Sequence, residues 1–214
     1  MLRSLSAPQL RLLDELADLP SDFVLYGGTG LALRLGHRTS ADFDFFSHAP
    51  LDRVALTRAL GWLDRAAVLD ETAQSLTVSV DHGGPVKVSF FGAIDFGRVA
   101  MPESLAGRSV QVASLLDLGA TKVKVLLQRV ESKDYLDVDA LLRAGVPLED
   151  LLGAARALFG ETFNPLVARK ALAYFEGGDL DRLDAQLRAR LTRAALADVE
   201  PTQLIRRSGA LRGP

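Results

Sequence analysis

The sequence predicts an α+β fold, with a small mixed sheet and flanking helices in the first half of the chain and a bundle of helices in the second. Three observations predict it. Polar and apolar residues alternate with period two over 42–46, 75–80 and 86–90, as in half-buried strands. A glycine-rich corner, Tyr26-Gly-Gly-Thr-Gly30, joins an apolar strand at 23–26 to a short helix. From Ser114 onward apolar residues recur at helical spacing, punctuated by Pro147, Pro165 and Gly177-Gly178. These features divide the chain into a core over 1–113, a helical domain over 114–200 and a loose tail over 201–214.

The elements follow in order. Ser6, Pro8 and Gln9 read as a helix start, and Leu10, Leu12, Leu13, Leu16 and Leu19 supply an apolar stripe as far as Pro20. After the corner, Leu31, Ala32, Leu33 and Leu35 form the apolar face of a helix that Gly36 ends. Residues 52–63 have helical periodicity through Val54, Leu56, Leu60 and Leu63, with Trp62 expected in the core. The strands at 75–80 and 86–90 flank Asp81-His-Gly-Gly-Pro85, which reads as a hairpin turn with a solvated His82, and a short strand follows at 109–112. Ser114 caps a helix carrying Leu115, Leu118, Val123, Leu126 and Leu127. A second starts at Lys133 and stops at Gly145, and further helices are expected over 148–158, 166–175 and 179–198.

Composition narrows the function. The chain has 214 residues, nearly half of them apolar, which is enough for a sizeable core. It has no cysteine, which excludes disulfides and zinc–thiolate sites, and its three histidines are scattered. No stretch reads as a signal peptide or a membrane span, so a cytoplasmic protein without membrane partners is expected. A formal net charge of −2 is unlike that of a general nucleic-acid binder. Arg182, Arg188, Arg190, Arg193, Arg206, Arg207 and Arg212 nevertheless concentrate positive charge toward the C-terminus.

The chemistry-bearing residues lie around the corner. Asp42 and Asp44 are two apart on a strand and so point to one face, while Phe43 and Phe45 point to the other. Like charges side by side on a strand repel, and a bound cation would offset that repulsion. Beside a glycine-rich turn that opens a helix, the pair makes a site for a divalent cation and phosphate. In the helical half, Lys122, Arg129, Lys133, Asp134 and Asp137 form a second group. Such residues equally make a solvated helix face, with Asp134 and Asp137 favouring a helix N-terminus.

Gly27-Gly28-Thr29, its spacing to Asp42-x-Asp44 and the intervening Gly36-His37-Arg38-Thr39-Ser40 resemble the signature of the DNA polymerase β-like nucleotidyltransferases. Within that superfamily the string Gly-His-Arg-x-Ser-x-Asp-x-Asp-Phe is most similar to the AbiEii/AbiGii (MenT-like) toxins. The resemblance is specific over the first half of the chain and does not reach the C-terminal end.

What it implies is a Mg²⁺-dependent toxin, with Mn²⁺ as a substitute. Such an enzyme transfers a nucleoside monophosphate from a nucleoside triphosphate to RNA, with a tRNA 3′ end as acceptor, and a separate antitoxin protein neutralises it. Asp42 and Asp44 would hold the metal. Gly27, Gly28, Thr29, Arg38 and Ser40 would bind the nucleotide phosphates through backbone amides, hydroxyls and the guanidinium. An essential lysine and a later aspartate match Lys122 and Asp134 as catalytic residues, the lysine supplying positive charge and the aspartate orienting or deprotonating the acceptor, with Lys124 and Asp137 as alternatives. One position departs from the superfamily pattern: Ser89 stands where a third carboxylate is expected, so a second metal would need Asp95 or Asp134 from elsewhere. Two other functions remain open: the same transfer to a small-molecule acceptor, and a module that binds nucleotide or protein without turnover.

Overall fold

A computed structural model describes residues 2–105 and 108–213. They form two compact units, one running through Ser114 and taking in the segment from Ser208 onward, the other spanning Leu115–Arg207.

The first unit is built on a seven-stranded mixed sheet. Its strands are β1 (Val24–Tyr26), β2 (Asp42–Phe46), β3 (Ala67–Glu71), β4 (Ser75–Asp81), β5 (Pro85–Phe91), β6 (Glu103–Ser104) and β7 (Gln111–Val112). They lie in the order β3-β4-β5-β2-β1-β7-β6. β2 is central, antiparallel to β1 and parallel to β5. Leu25, Phe43, Phe45, Val88 and Phe90 project from one face into the core, where Phe45 stacks on Phe90 at 5.6 Å and Phe23 meets the same ring edge-on at 5.5 Å. Burying each such side chain contributes about 1.5–3 kcal/mol.

Helices α1 (Ala7–Asp14), α2 (Gly27–Leu35) and α3 (Arg53–Ala59) accompany the sheet. The start of α1 is a full capping box. Ser6 Oγ accepts from Gln9 N, and Gln9 Oε1 accepts from Ser6 N at 2.9 Å. Gly36 ends α2 in the left-handed conformation, with φ 64°.

Several features of this unit depart from the expectations. β3 and β6 extend the sheet beyond the strands read from alternation, because every residue of β3 is exposed and β6 is two residues long. The helix expected over 52–63 breaks at Leu60 (φ −113°, ψ 77°), next to Gly61, and continues as a 3-10 turn at Gly61–Arg65, within which Trp62 is buried as expected. His82 is less solvated than a loop residue should be. Its ring meets Trp62 edge-on, and its carbonyl accepts from Arg11 Nε at 2.6 Å.

The second unit contains α4 (Leu115–Val125), α5 (Ser132–Arg143), α6 (Leu148–Phe159), α7 (Pro165–Leu172) and α8 (Ala185–Leu196). Leu118, Val123, Val138, Leu141, Leu151, Leu152 and Leu191 form its core. Asn164 caps α7 and Asp184 caps α8, so the helix expected over 179–198 is a 3-10 turn at Leu180–Arg182 followed by a freshly capped α8. The start of α5 is capped from a distance. Asp179 accepts from Ser132 N at 2.6 Å and from Ser132 Oγ at 2.7 Å, which holds its carboxyl below the usual carboxylate range.

The segment expected as a loose tail is anchored as far as it is described; Pro214 lies outside the described residues. Thr202 N donates to Glu149 O at 3.0 Å within the helical unit. In the sheet unit Ser208 pairs with Arg98, Leu211 is buried and Gly213 N donates to Gln111 Oε1 at 3.0 Å. Its order comes from partners distant in sequence, which local composition does not reveal.

Candidate active site

The three corner residues Gly27, Gly28 and Thr29 each contact neighbouring groups of the site. Gly27 has φ +68°, and a Cβ there would lie 2.5 Å from Asp44 Oδ2. Its missing side chain is the space in which the Asp44 carboxylate sits. A Cβ on Gly28 would lie 2.5 Å from Arg38 Nη2 and 3.0 Å from Ser40 Oγ, so guanidinium and hydroxyl both rest against the first turn of α2. Thr29 is fully buried, and its hydroxyl donates to the Asp42 carbonyl. That hydrogen bond joins α2 to β2. It also commits the Thr29 hydroxyl to the fold, whereas the sequence suggested a phosphate ligand.

The loop between α2 and β2 is held from a third direction. Gln9 is buried, and its Nε2 donates to Ser40 O at 2.7 Å. One glutamine thus closes the α1 capping box and fixes the loop carrying Arg38 and Ser40. The sequence showed only its capping role.

Strand register sets the remaining neighbours. Asp42 pairs with Lys87 and Asp44 with Ser89 across parallel β2 and β5. Side chains at paired positions share a face, so the Asp42 row contains an ammonium and the Asp44 row a hydroxyl. Lys87 Nζ lies 3.4 Å from Asp42 Oδ2, with side chains 46% and 43% exposed. Ser89 is buried and accepts from Thr77 Oγ1 at 3.3 Å. Among the described residues no group of three or more His, Cys, Asp or Glu could hold a metal. Asp42 and Asp44, alternate residues of β2, present two carboxylates on one face of the sheet. That pair fits a hard cation such as Mg²⁺, which commonly takes one or two carboxylates and completes its shell with substrate phosphates and water. Asp95 is exposed in the loop after β5.

In the helical unit, Lys122 Nζ lies 2.8 Å from Asp134 Oδ1 and 2.7 Å from Asp137 Oδ2. Arg129 grips Asp134 through Nε at 2.8 Å and Nη2 at 3.1 Å. Lys122, Asp134 and Asp137 are buried, so this is a desolvated ion network and not the solvated helix face that composition alone would allow. Burial alone would raise the Asp134 carboxyl, but the Arg129 hydrogen bonds and the Lys122 charge outweigh it and hold the group below its ordinary value. A carboxylate so held is a weak proton acceptor. Of the two candidate lysines, Lys124 donates to the Thr162 carbonyl and lies over the Phe159 ring, whereas Lys122 pairs with the aspartates. Asp134 and Asp137 both belong to the network.

A family match makes this chain a nucleotidyltransferase, and the strand, glycine corner, helix and two-carboxylate strand are its candidate site. The family profile "Nucleotidyl transferase AbiEii toxin, Type IV TA system" matches residues 11–207, and the chain belongs to that family of nucleotidyltransferase toxins. It is 30% identical over 180 residues to the Aquifex aeolicus (strain VF5) protein aq_aa25, covering 82% of this chain and 85% of that one. Among solved structures, its fold is similar to an antigenic nucleotidyltransferase-like protein from Paracoccidioides brasiliensis (TM-score 0.56, 17% identity, 90% of this chain and 93% of that one). It is also similar to MenT4, a nucleotidyltransferase toxin from Mycobacterium tuberculosis H37Rv (TM-score 0.54, 17% identity, 88% and 80%). Membership of a toxin–antitoxin family brings a nucleotide substrate and an antitoxin partner. Among the described residues no helix is long and apolar enough to cross a membrane.

Proposed function

We propose that this nucleotidyltransferase uses Mg²⁺, or Mn²⁺ in its place, to transfer a nucleoside monophosphate from a nucleoside triphosphate to the 3′ end of a cytoplasmic RNA, with tRNA as the acceptor. The observation that carries the reading is the corner itself. Gly27 and Gly28 leave the space in which Asp44, Arg38 and Ser40 sit, and Thr29 bonds to the backbone of Asp42.

In the reaction an acceptor hydroxyl oxygen bonds to the α-phosphorus and the bond to the β-phosphate oxygen breaks. Pyrophosphate leaves, and the hydroxyl proton passes to solvent. The chief demands are in-line positioning and neutralisation of charge. A bound cation would supply part of that neutralisation, held by Asp42 and Asp44. The backbone amides of the first turn of α2 offer donors to phosphate oxygens, and the Arg38 guanidinium a bidentate fork. Ser40 adds a hydroxyl beside it. Lys122 and Asp134 serve in this reading as a positioning pair: each neutralises the other, and the pair fixes α4 against α5.

The test is to incubate the protein with Mg²⁺, each α-labelled nucleoside triphosphate in turn and total bacterial RNA, and to resolve the products on a denaturing gel. A labelled band of tRNA size that is absent with Asp42→Ala is the expected result. Label in small molecules but not in RNA would move the acceptor to a small molecule. The buried Ser89 favours the non-catalytic binding module as a second reading, and nucleotide binding with no pyrophosphate release would select it.

A further inference from the structure

We propose that Lys87 is a phosphate-binding residue of the site, paired with Asp42 until a divalent cation takes that carboxylate and then turned onto the triphosphate oxygens. This rests on the nucleotidyltransferase reading of the corner.

Register places Lys87 directly beside Asp42 on the face that carries both aspartates. The 3.4 Å contact is long for an ammonium–carboxylate pair, and both side chains are about half exposed. An ion pair so solvated contributes little to holding a strand in place, so β5 does not need it for stability. Its effect falls on the site. Asp42 and Asp44 repel each other, the neighbouring Ser89 offers no charge, and the Lys87 ammonium offsets part of that repulsion.

A cation arriving at Asp42 competes with Lys87 for the same carboxylate and repels the ammonium. Lysine carries a compact charge on a flexible stem, and it can turn away without disturbing the strand. The nearest new partner is the polyanion that arrives with the cation. Lys87 and the Arg38 guanidinium at Gly28 then supply positive charge at two separate points of the site. The serine at the third-carboxylate position fits the same design, since one carboxylate fewer and one lysine more make the face more receptive to a triphosphate.

Calorimetry on the full chain tests this with two probes, Mn²⁺ alone and inorganic tripolyphosphate in the presence of Mn²⁺. Wild type is compared with Lys87→Met, Lys87→Arg and Asp44→Asn. Lys87→Met is expected to bind Mn²⁺ about two- to fivefold more tightly, since it removes a solvated competing charge. It should bind tripolyphosphate about tenfold more weakly, having lost a charge-assisted contact. Lys87→Arg should restore both values toward wild type, which a merely structural side chain would not require. If Lys87→Met matches wild type with both probes while Asp44→Asn abolishes Mn²⁺ binding, the proposal is overturned and the nucleotidyltransferase reading stands. Tighter Mn²⁺ binding without weaker tripolyphosphate binding also overturns it. If wild type shows no Mn²⁺ binding that Asp44→Asn removes, the metal-site reading fails and the role of Lys87 falls with it.

Discussion

Gly27 illustrates how single residues set the chemistry of this site. Its positive φ and the 2.5 Å approach of Asp44 Oδ2 to the position of a Cβ are two separate reasons for glycine. Gly27→Ala is expected to cost about 1–2 kcal/mol in backbone strain. It should also lower kcat/KM about 10- to 100-fold by displacing Asp44, since small misplacements of a reacting constellation cost that much. Steady-state kinetics beside a thermal melt will separate the two effects. Lys122 is a residue of the opposite kind. Lys122→Met would leave Asp134 and Asp137 buried with only part of their counter-charge, and the expected loss is about 3–5 kcal/mol of stability. Urea denaturation followed by circular dichroism measures it, and a fully stable Lys122→Met protein would contradict the network described here.

At the scale of elements, α1 supports the site through one side chain. Gln9→Ala removes both the reciprocal capping bond and the bond to the Ser40 carbonyl, for an expected loss of about 1–2 kcal/mol. KM for the nucleoside triphosphate should rise with it, because the loop carrying Arg38 loses an anchor. Ser6→Ala removes only the cap, so the two variants compared by melting temperature and KM isolate the loop term.

What was legible in the sequence follows the same division. The strand, corner, helix and second strand could be read because their signals are local: a period of two, two consecutive glycines and a terminating Gly36. β3 could not, since an exposed edge strand has no buried face to impose alternation, and Ala67-Val-Leu-Asp-Glu71 reads as neither helix nor strand. Lys87 was hidden for a related reason: a lysine on a strand looks like a solvated position until register sets it beside Asp42. Asp42 and Asp44 stood out because like charges on one face ask for a counter-charge. The binding of the Thr29 hydroxyl by the Asp42 carbonyl is a tertiary fact with no sequence signal.

At the scale of the molecule, two units divide the work. The sheet unit carries the corner and its two carboxylates, and the helical unit carries a buried ion network and an arginine-rich C-terminal helix. Some of that positive charge is already spent within the fold. Arg190 is bound by both oxygens of Asp139, and Arg188 donates to the Leu180 and Leu183 carbonyls. The network also sets a pH dependence. The Asp134 carboxyl is held lower in the folded state than in the unfolded one, so its stabilising contribution is complete above the ordinary aspartate value. It is lost as pH falls through the depressed folded value. Denaturant midpoints should therefore fall in acid, and Asp134→Asn should be less stable at neutral pH yet less sensitive to that fall.

In the proposed reaction Asp42 and Asp44, presented by the glycine corner, hold the cation on which transfer depends. The most direct measurement is release of pyrophosphate and incorporation of α-label into RNA as Mg²⁺ is titrated, comparing wild type with Asp44→Asn, which preserves shape and removes charge. Wild type should show both signals in step with Mg²⁺, and Asp44→Asn should lose them by about 10³-fold or more while melting at a similar temperature. A folded Asp44→Asn protein that transfers label at the wild-type rate would contradict the account.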